Sequence, residues 1–385
     1  MPIEGLKKTI AVSVINDLST DQRVHRTCMT LVEIGYDVIL IGRQLPRSQP
    51  LSPRAYQTRR MRLLFTKGPL FYLEFNCRLW LKLIFLPCEG LLSNDLDTLA
   101  PNYYVAKWRH KKLFYDAHEI FTEVPELQNH SIKKKLWKRL ESHLIPKTGT
   151  IITVNQSLAN WYTNTYGISC VVVRNMPMKV SQVKLTEVER NQKRLQLGLP
   201  VDKPIVILQG AGININRGAE ELVASMQFIN NTLLLIIGGG DVCDQLAAMV
   251  NELKLQDKIR MLPKMSYEQM MEYTSCSTIG VTLDKSSNLN YKYSLPNKIF
   301  DYLFAGIPVL SSRLVELERI INHYQVGDFF EDHVPVNIAK KLTQTLKDSD
   351  QLEKWRGNIP QALASLNWGI EREGLVQLFR KMENE

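Results

Sequence analysis

Tyr291–Ser312, YKYSLPNKIFDYLFAGIPVLSS, is the stretch whose reading decides the fold. It reads as a loop, a short helix capped by Ser294, a stop at Gly306 and a buried strand opening near Ile307. Ser294, Asn297, Lys298 and Asp301 fall at helical spacing and share one face near the helix start. Ile299, Phe300, Leu303 and Phe304 take the opposite, apolar face. A helix N-terminus presents unpaired N–H groups and a partial positive charge, which suits a diphosphate. Asp301, one turn deeper, is placed to accept hydrogen bonds from two neighbouring hydroxyls, as on a ribose. Taken alone, the same stretch is also an ordinary amphipathic helix of an α/β domain.

The alternation extends in both directions. Downstream of the chain's middle, Ile205–Leu208, Thr232–Ile237, Lys258–Leu262 and Thr278–Leu283 read as strands, with helices between them at Ala219–Phe228, Asp241–Leu253 and Ser266–Thr274. In the first half, strands at Thr9–Ile15 and Asp37–Gly42 flank a helix at Asp21–Ile34. Short strands follow at Gly90–Ser93, Lys112–Tyr115 and Thr150–Val154. Repeated units of this kind imply parallel sheets covered on both faces. A chain of 385 residues is too long for one typical core. The expected class is α/β, with two doubly wound Rossmann-like domains facing across a cleft. The first covers residues 1–180, a polar linker covers 181–203, the second domain covers 204–360, and helices over 361–385 cross back to the first. Ligands of such sheets bind beyond the carboxyl ends of the strands, where Asn16-Asp17, Asn94-Asp95, His118-Glu119, Gly210–Gly212 and Gly238–Gly240 fall.

Composition is that of a globular protein, 44% hydrophobic and 23% charged. Six scattered cysteines without a CxxC pair fit reduced, cytosolic thiols and no metal-ligand spacing. The opening MPIEGLKKTIAVSVI is a first strand and no signal peptide, because its apolar run breaks at Asn16-Asp17. A net charge of +9 points to nucleic acid, anionic lipid or a phosphorylated substrate. Basic residues do not interleave with aromatics as in a nucleic-acid module, so no nucleic-acid partner is expected. They cluster at Arg59, Arg60, Arg62 and Lys67 and again at Lys133, Lys134, Lys135, Lys138 and Arg139. After the first cluster comes GPLFYLEFNCRLWLKLIFLP, ending at Pro87, whose Glu74, Arg78 and Lys82 argue against a spanning helix. It is either a helix lying on an anionic membrane surface or a core helix of the first domain. The expected location is cytoplasmic, or peripheral on the inner face of the cytoplasmic membrane.

Eight stretches then fall in a telling order: VINDLSTDQRVHRTCMTLVEIGYDVILIGR, SNDLDTLAPNYYVAK, YDAHE, TVNQSLANWY, VVVRNMP, LQGAGININRGAEELVASM, IIGGGD and LPNKIFDYLFAGIPVLSS. Over nearly its whole length the chain resembles the retaining glycosyltransferases of family 4 (glycosyl transferases group 1), which have the GT-B fold. The resemblance implies an acceptor site in the first domain and a nucleotide-diphosphate sugar in the second. It implies hexosyl transfer with retention to a hydroxyl of a glycan or lipid-linked acceptor, in cell-surface polysaccharide or glycolipid synthesis. No metal and no cofactor beyond the donor is implied.

The family's Gly-Arg pair, and its Lys-Gly pair six residues on, fall on Gly210-Ala211 and Arg217-Gly218. Arg217 thus keeps a cation at the diphosphate. Ala211 lacks the family's arginine, and Lys298 is the nearest replacement. The family's paired glutamates fall on Tyr293 and Asp301; Asp301 keeps a carboxylate for the ribose, whereas Tyr293 loses the group that contacts the sugar. His118 matches a family histidine facing the donor sugar and its diphosphate. The implied catalytic residues are therefore His118, Arg217 and Lys298. Gly210, Gly212, Gly238, Gly239, Leu295, Asn297 and Asp301 are the donor-binding set, and Asn16, Asp17, Asn94, Asp95 and Glu119 belong to the acceptor side or the cleft.

Several local readings stay open. Ser19 or Thr20 caps the first helix, on which Asp21 and Arg23 pair. Asn94 and Asp95 either bind acceptor hydroxyls or cap the helix from Leu96. Asp95 and Asp97 have Asp-x-Asp spacing, but they open a helix and make no convincing metal site. Rival functions are a sugar-nucleotide epimerase of the same fold and a non-catalytic sugar-nucleotide-binding protein, the latter encouraged by Ala211 and Tyr293. A dinucleotide oxidoreductase fits least, because no G-x-G-x-x-G follows the first strand and GAGIN lacks the third glycine.

Overall fold

Buried apolar strands alternating with helices build two all-parallel sheets in the computed structural model of the chain. The structure describes residues 8–383 apart from 20, 47, 49, 129 and 179–184. Its contacts divide the chain into unit 1, Met1–Asn175 with Gly369–Glu385, and unit 2, Met176–Trp368.

Unit 1 has strands β1 (Thr9–Asp17), β2 (Asp37–Gln44), β3 (Gln57–Arg62), β4 (Gly90–Asn94), β5 (Lys112–Ala117), β6 (Ile151–Thr153) and β7 (Cys170–Val172). They lie in the order β3-β2-β1-β4-β5-β6-β7. Its helices are α1 (Gln22–Glu33), α2 (Pro69–Ile84), α3 (Leu96–Arg109), α4 (Pro125–Gln128), α5 (Ser131–Leu144) and α6 (Gln156–Tyr166). β3 and β7 were not among the expected strands. QTRRMR is polar because β3 is an edge strand, paired to β2 alone and burying only Met61.

The core-helix reading of Gly68–Pro87 holds for one side of α2. Phe71, Phe75, Leu79 and Leu83 of α2, four residues apart, are buried. Phe75, Leu79 and Leu83 share a core with Ala11, Ile39 and Ile41. The other side of α2 is open to solvent. No described helix is long and apolar enough to cross a membrane.

Unit 2 has β8 (Ile205–Gly210), β9 (Leu233–Gly238), β10 (Ile259–Leu262), β11 (Ile279–Thr282), β12 (Val309–Ser311) and β13 (Gly327–Phe329), ordered β10-β9-β8-β11-β12-β13. Its helices are α7 (Glu187–Gln196), α8 (Ala219–Ser225), α9 (Cys243–Glu252), α10 (Tyr267–Ser275), α11 (Leu289–Lys292), α12 (Lys298–Phe304), α13 (Val315–Tyr324), α14 (Pro335–Lys347) and α15 (Ser349–Ser365). The last helix, α16 (Trp368–Glu383), packs in unit 1, where Phe379 stacks on Phe114 with ring centroids 4.3 Å apart. α15, which begins before residue 361, stays in unit 2, with Leu352 and Trp355 in its core.

Two local expectations change. The stretch read as a linker carries α7, opened by a reciprocal cap between Thr186 and Glu189. Arg194 ties α7 to unit 2 by donating to the carbonyls of Cys276 (2.9 Å) and Lys203 (3.2 Å). Its polar composition hid a helix anchored by one buried guanidinium. Residues 179–184 of that stretch lie outside the described residues.

Ser294 does not cap α12. The cap position is Asn297, and Ser294 Oγ is buried without a hydrogen bond among the described residues. A cap at Ser294 would put Leu295 in helical conformation directly before Pro296, which the proline ring disfavours. Nor does α12 show one polar face: Lys298 and Tyr302 are buried with the apolar residues, while Asn297 is exposed.

Candidate functional site

In unit 2 the loops after β8 and β9 lie side by side. Gly239 N–H donates to Gly210 O (3.2 Å) and Ile213 N–H to Gly239 O (2.9 Å). Gly238 is forced by that approach, since a Cβ on it would sit 1.8 Å from Gly210 O. Arg217 precedes α8, and the intervening Gly218 has φ +71°. Its Nη1 donates to Asp284 Oδ1 at 3.1 Å, and its guanidinium carbon lies 5.2 Å from the Tyr291 ring centroid. Asp284, beyond the end of β11, is 1% exposed and also accepts from Thr282 Oγ1 (2.9 Å).

Lys298 is buried on the same side. A Cβ on Gly210 would lie 4.0 Å from its Cε, so the lysine stem runs beside the first glycine loop. Burial lowers the Lys298 pKa below its ordinary value, Asp284 acts against that shift, and Arg217 reinforces it. Arg217, paired to buried Asp284, and buried Lys298 thus lie beside two backbone loops, a cluster with positive charge in excess that can hold an anion.

Asp301 is half-buried and accepts from Tyr267 Oη at 2.9 Å and Gln209 Nε2 at 3.4 Å. Gln209 is held in turn by Thr274 Oγ1 (2.5 Å). Tyr302 Oη donates toward the carbonyls of Val281 and Ile207, and its ring fills the space that a side chain on Gly280 would need. These contacts fix α12 against the sheet. Leu295 is half-buried in the loop before α12. Gly212 lies in the first glycine loop, where an added Cβ would come 3.5 Å from Asn214 Nδ2.

Unit 1 holds a second cluster around His118, the residue after β5. Asp95 Oδ1 accepts from the His118 backbone N–H (2.9 Å), and Asp95 Oδ2 lies 3.1 Å from His118 Nδ1. Asp95 adopts φ +58°, a costly conformation for a residue with a side chain. His118 Nε2 is 3.4 Å from Asp116 Oδ2. Asp116 receives a two-pronged contact from Arg23, at 3.1 Å from Nε and 2.6 Å from Nη2. Burial opposes charge on His118, but Asp95 and Asp116 outweigh it and hold the pKa well above the ordinary value. Asp116 is held at about 2, because Arg23 and His118 overcome its burial.

Asp97, beneath this cluster, is raised well above the usual carboxylate range, first by burial and then by Asp95 and Glu119. Among the described residues no group of three or more His, Cys, Asp or Glu could hold a metal ion.

A pH test follows from His118. Folding raises its pKa, so its contribution to stability is complete below about pH 6.5 and is lost as pH rises through the folded-state value. The difference in Tm between the wild type and His118→Gln should therefore narrow in alkaline buffer. A difference that stays constant through that rise would show a neutral imidazole.

The other expected residues of unit 1 have structural partners. Asp17 is buried, accepts from Ser19 N–H and Arg60 (both 3.1 Å), and bonds Ser48. Asn16 Nδ2 donates to Asp21 (3.0 Å), and Asn94 Nδ2 donates to Ser13 O (3.0 Å) inside the sheet. Asp95 occupies the cap position of α3 but makes no cap bond, its carboxylate being committed to His118. Glu119 is half-buried, its carbonyl accepting from Tyr162 Oη at 3.2 Å. The cap of α1 is Asp21, which accepts from Val24 N–H (3.0 Å), and neither Ser19 nor a pairing with Arg23 supplies it. Arg23 turns inward to Asp116 instead because it is buried. Thr20 lies outside the described residues.

The sequence reading did not name Asp284, Asp116 as a partner of His118, Gln209 or Tyr267. Asp284 and Asp116 had a signal, an acid within or just after a mostly apolar strand run. Gln209 and Tyr267 had none.

The model described as "Glycosyl transferases group 1" matches residues 189–362, and the one described as "Glycosyltransferase Family 4" matches residues 21–176. Sucrose-phosphate synthase from Thermosynechococcus elongatus is similar in structure, with TM-score 0.80 and 16% identity over 98% of this chain and 100% of that one. Anabaena HepE in complex with UDP-glucose gives TM-score 0.72 and 13% identity, over 97% of this chain and 99% of that one. By sequence, D-inositol 3-phosphate glycosyltransferase of Acidothermus cellulolyticus is 21% identical over 253 residues, 62% of this chain and 55% of that protein. This chain spans about half the length of the curated relatives it matches. The fold is GT-B, and the two family models together span most of both units. The chain belongs to glycosyltransferase family 4, the glycosyl transferases group 1.

Proposed function

We propose that this protein moves a hexosyl group from a nucleotide diphosphate sugar to a hydroxyl of a glycan or lipid-linked acceptor, with retained anomeric configuration, in cell-surface polysaccharide or glycolipid synthesis. The observation that carries this reading is Arg217 paired to buried Asp284, with the buried Lys298 stem beside Gly210, next to the Gly210–Gly212 and Gly238–Gly240 loops. Backbone N–H groups and two cations are what a departing diphosphate requires. HepE carries UDP-glucose, so a uridine donor is the first to test.

In this reading the bond between the anomeric carbon and the diphosphate breaks, and the acceptor oxygen bonds that carbon from the same face. The acceptor's proton goes to the departing phosphate. No protein nucleophile is required. Asp301 holds the ribose. The protein acts in the cytoplasm or on the inner face of the cytoplasmic membrane.

Thermal-shift screening of sugar nucleotides identifies the donor, since a binder raises Tm by mass action. Asp301→Ala should weaken donor binding by about 1.5–3 kcal/mol, the loss of a charged hydrogen bond. Calorimetry showing unchanged affinity in a folded variant would remove Asp301 from the site. Donor binding with neither hydrolysis nor transfer above background would leave a non-catalytic binder, and an isomer of the donor would identify an epimerase.

A further inference from the structure

The outward faces of α2 and α5 are used neither by the core of unit 1 nor by its histidine cluster. Tyr72 of α2 packs edge-on against Trp137 of α5, ring centroids 5.3 Å apart, so the two helices are neighbours. Each buries one stripe and leaves another uncovered. On α2 the uncovered stripe includes Leu70, Leu73 (61% exposed), Trp80 and Leu81, with Phe85 (81%) just past its end. On α5 it is Ile132 (83%) and Leu136 (68%), interleaved with exposed Lys135 and Arg139. Leu64 and Phe65 extend the patch, because the Glu74 carboxylate accepts from both their backbone N–H groups (2.9 and 3.0 Å) and fastens that loop to α2. A protein surface facing only water rarely gathers so many large apolar side chains.

Charge decides what covers the patch. Glu74 is the only acid within α2 and Glu141 the only one within α5. Glu74 is occupied by the loop and by Arg78 at 2.7 Å. Glu141 is fully buried against Thr122 and Tyr166. What these helices and the loop before α2 turn outward is positive: Arg62 and Lys67 before α2, Lys82 on it, and Lys135, Lys138 and Arg139 on α5. A second copy of the chain would set like charge against like. An anionic bilayer accepts both features, with apolar side chains entering the headgroup region and cations meeting lipid phosphates.

We propose that this two-helix face of unit 1 docks on a lipid bilayer containing anionic lipid. The proposal draws its purpose from the lipid-linked acceptor reading, but the docking itself needs no donor. The test is sedimentation of the full chain with vesicles of phosphatidylcholine, alone or mixed with phosphatidylglycerol. The protein should sediment with the mixed vesicles and be released as salt rises. Lys135→Glu with Arg139→Glu should weaken that partitioning by more than about tenfold, and Leu73→Glu with Leu81→Glu should do likewise, with thermal unfolding unchanged. Equal recovery in the supernatant with both vesicle types would overturn the proposal. So would binding indifferent to both double variants, or a stable dimer in solution that Leu73→Glu disperses. Donor hydrolysis scored in the same samples separates the two readings: vesicle binding without hydrolysis sustains the docking and counts against transfer, while hydrolysis without binding overturns the docking.

Discussion

Arg217→Ala is expected to slow sugar transfer by about a hundredfold or more at saturating donor, with little loss of fold stability. Removing one pre-placed donor to developing charge has effects of that size. The charge grows on the diphosphate as the glycosidic bond breaks, so the arginine acts mainly in the transition state. The side chain is about a quarter exposed, so the fold should survive its removal. Arg217→Lys should recover part of the rate, because it restores the charge without the planar fork. Steady-state turnover with a confirmed acceptor, paired with a melting curve, checks this. Turnover within a few-fold of wild type would mean that another group neutralises the phosphates.

Asp116→Ala should act on stability, and strongly. It strips Arg23 of a two-pronged partner where the two side chains are 5% and 1% exposed, leaving a buried guanidinium that keeps, among the described residues, only the Val173 carbonyl (2.7 Å). Breaking a buried pair from one side costs about 3–5 kcal/mol. Urea unfolding, followed by a probe in unit 1, should show a lower midpoint with a similar slope. A loss below about 1 kcal/mol would mean that water reaches the guanidinium, contrary to its burial.

The sheets were legible because their strands are apolar runs punctuated by glycine and polar turns, and a parallel strand buried on both faces leaves little else to read. β3 was illegible for the opposite reason: one neighbour and one buried side chain leave an edge strand looking like a basic loop. α7 hid in the same way, its helix written in caps and a single buried arginine. At the candidate site, Gly210, Arg217, Gly238 and Lys298 could be placed from motif spacing. Asp284 could not, because it comes from a different strand end and only the β8–β11 pairing brings it near. His118 was legible as a residue at a strand end. Its charge was not, since that depends also on Asp95, which the neighbouring strand β4 brings beside it.

The backbone bonds that lash the loop after β8 to the loop after β9 have a consequence for recognition. Neither loop can rearrange alone, because Gly238 lies against Gly210 O too closely for any side chain to separate them. The cradle is therefore rigid before any ligand arrives, and the entropy of ordering it is lost during folding. A visiting diphosphate should surrender mainly its own freedom and its hydration. Affinity of this kind comes from preorganisation, which makes modest contacts sufficient for binding.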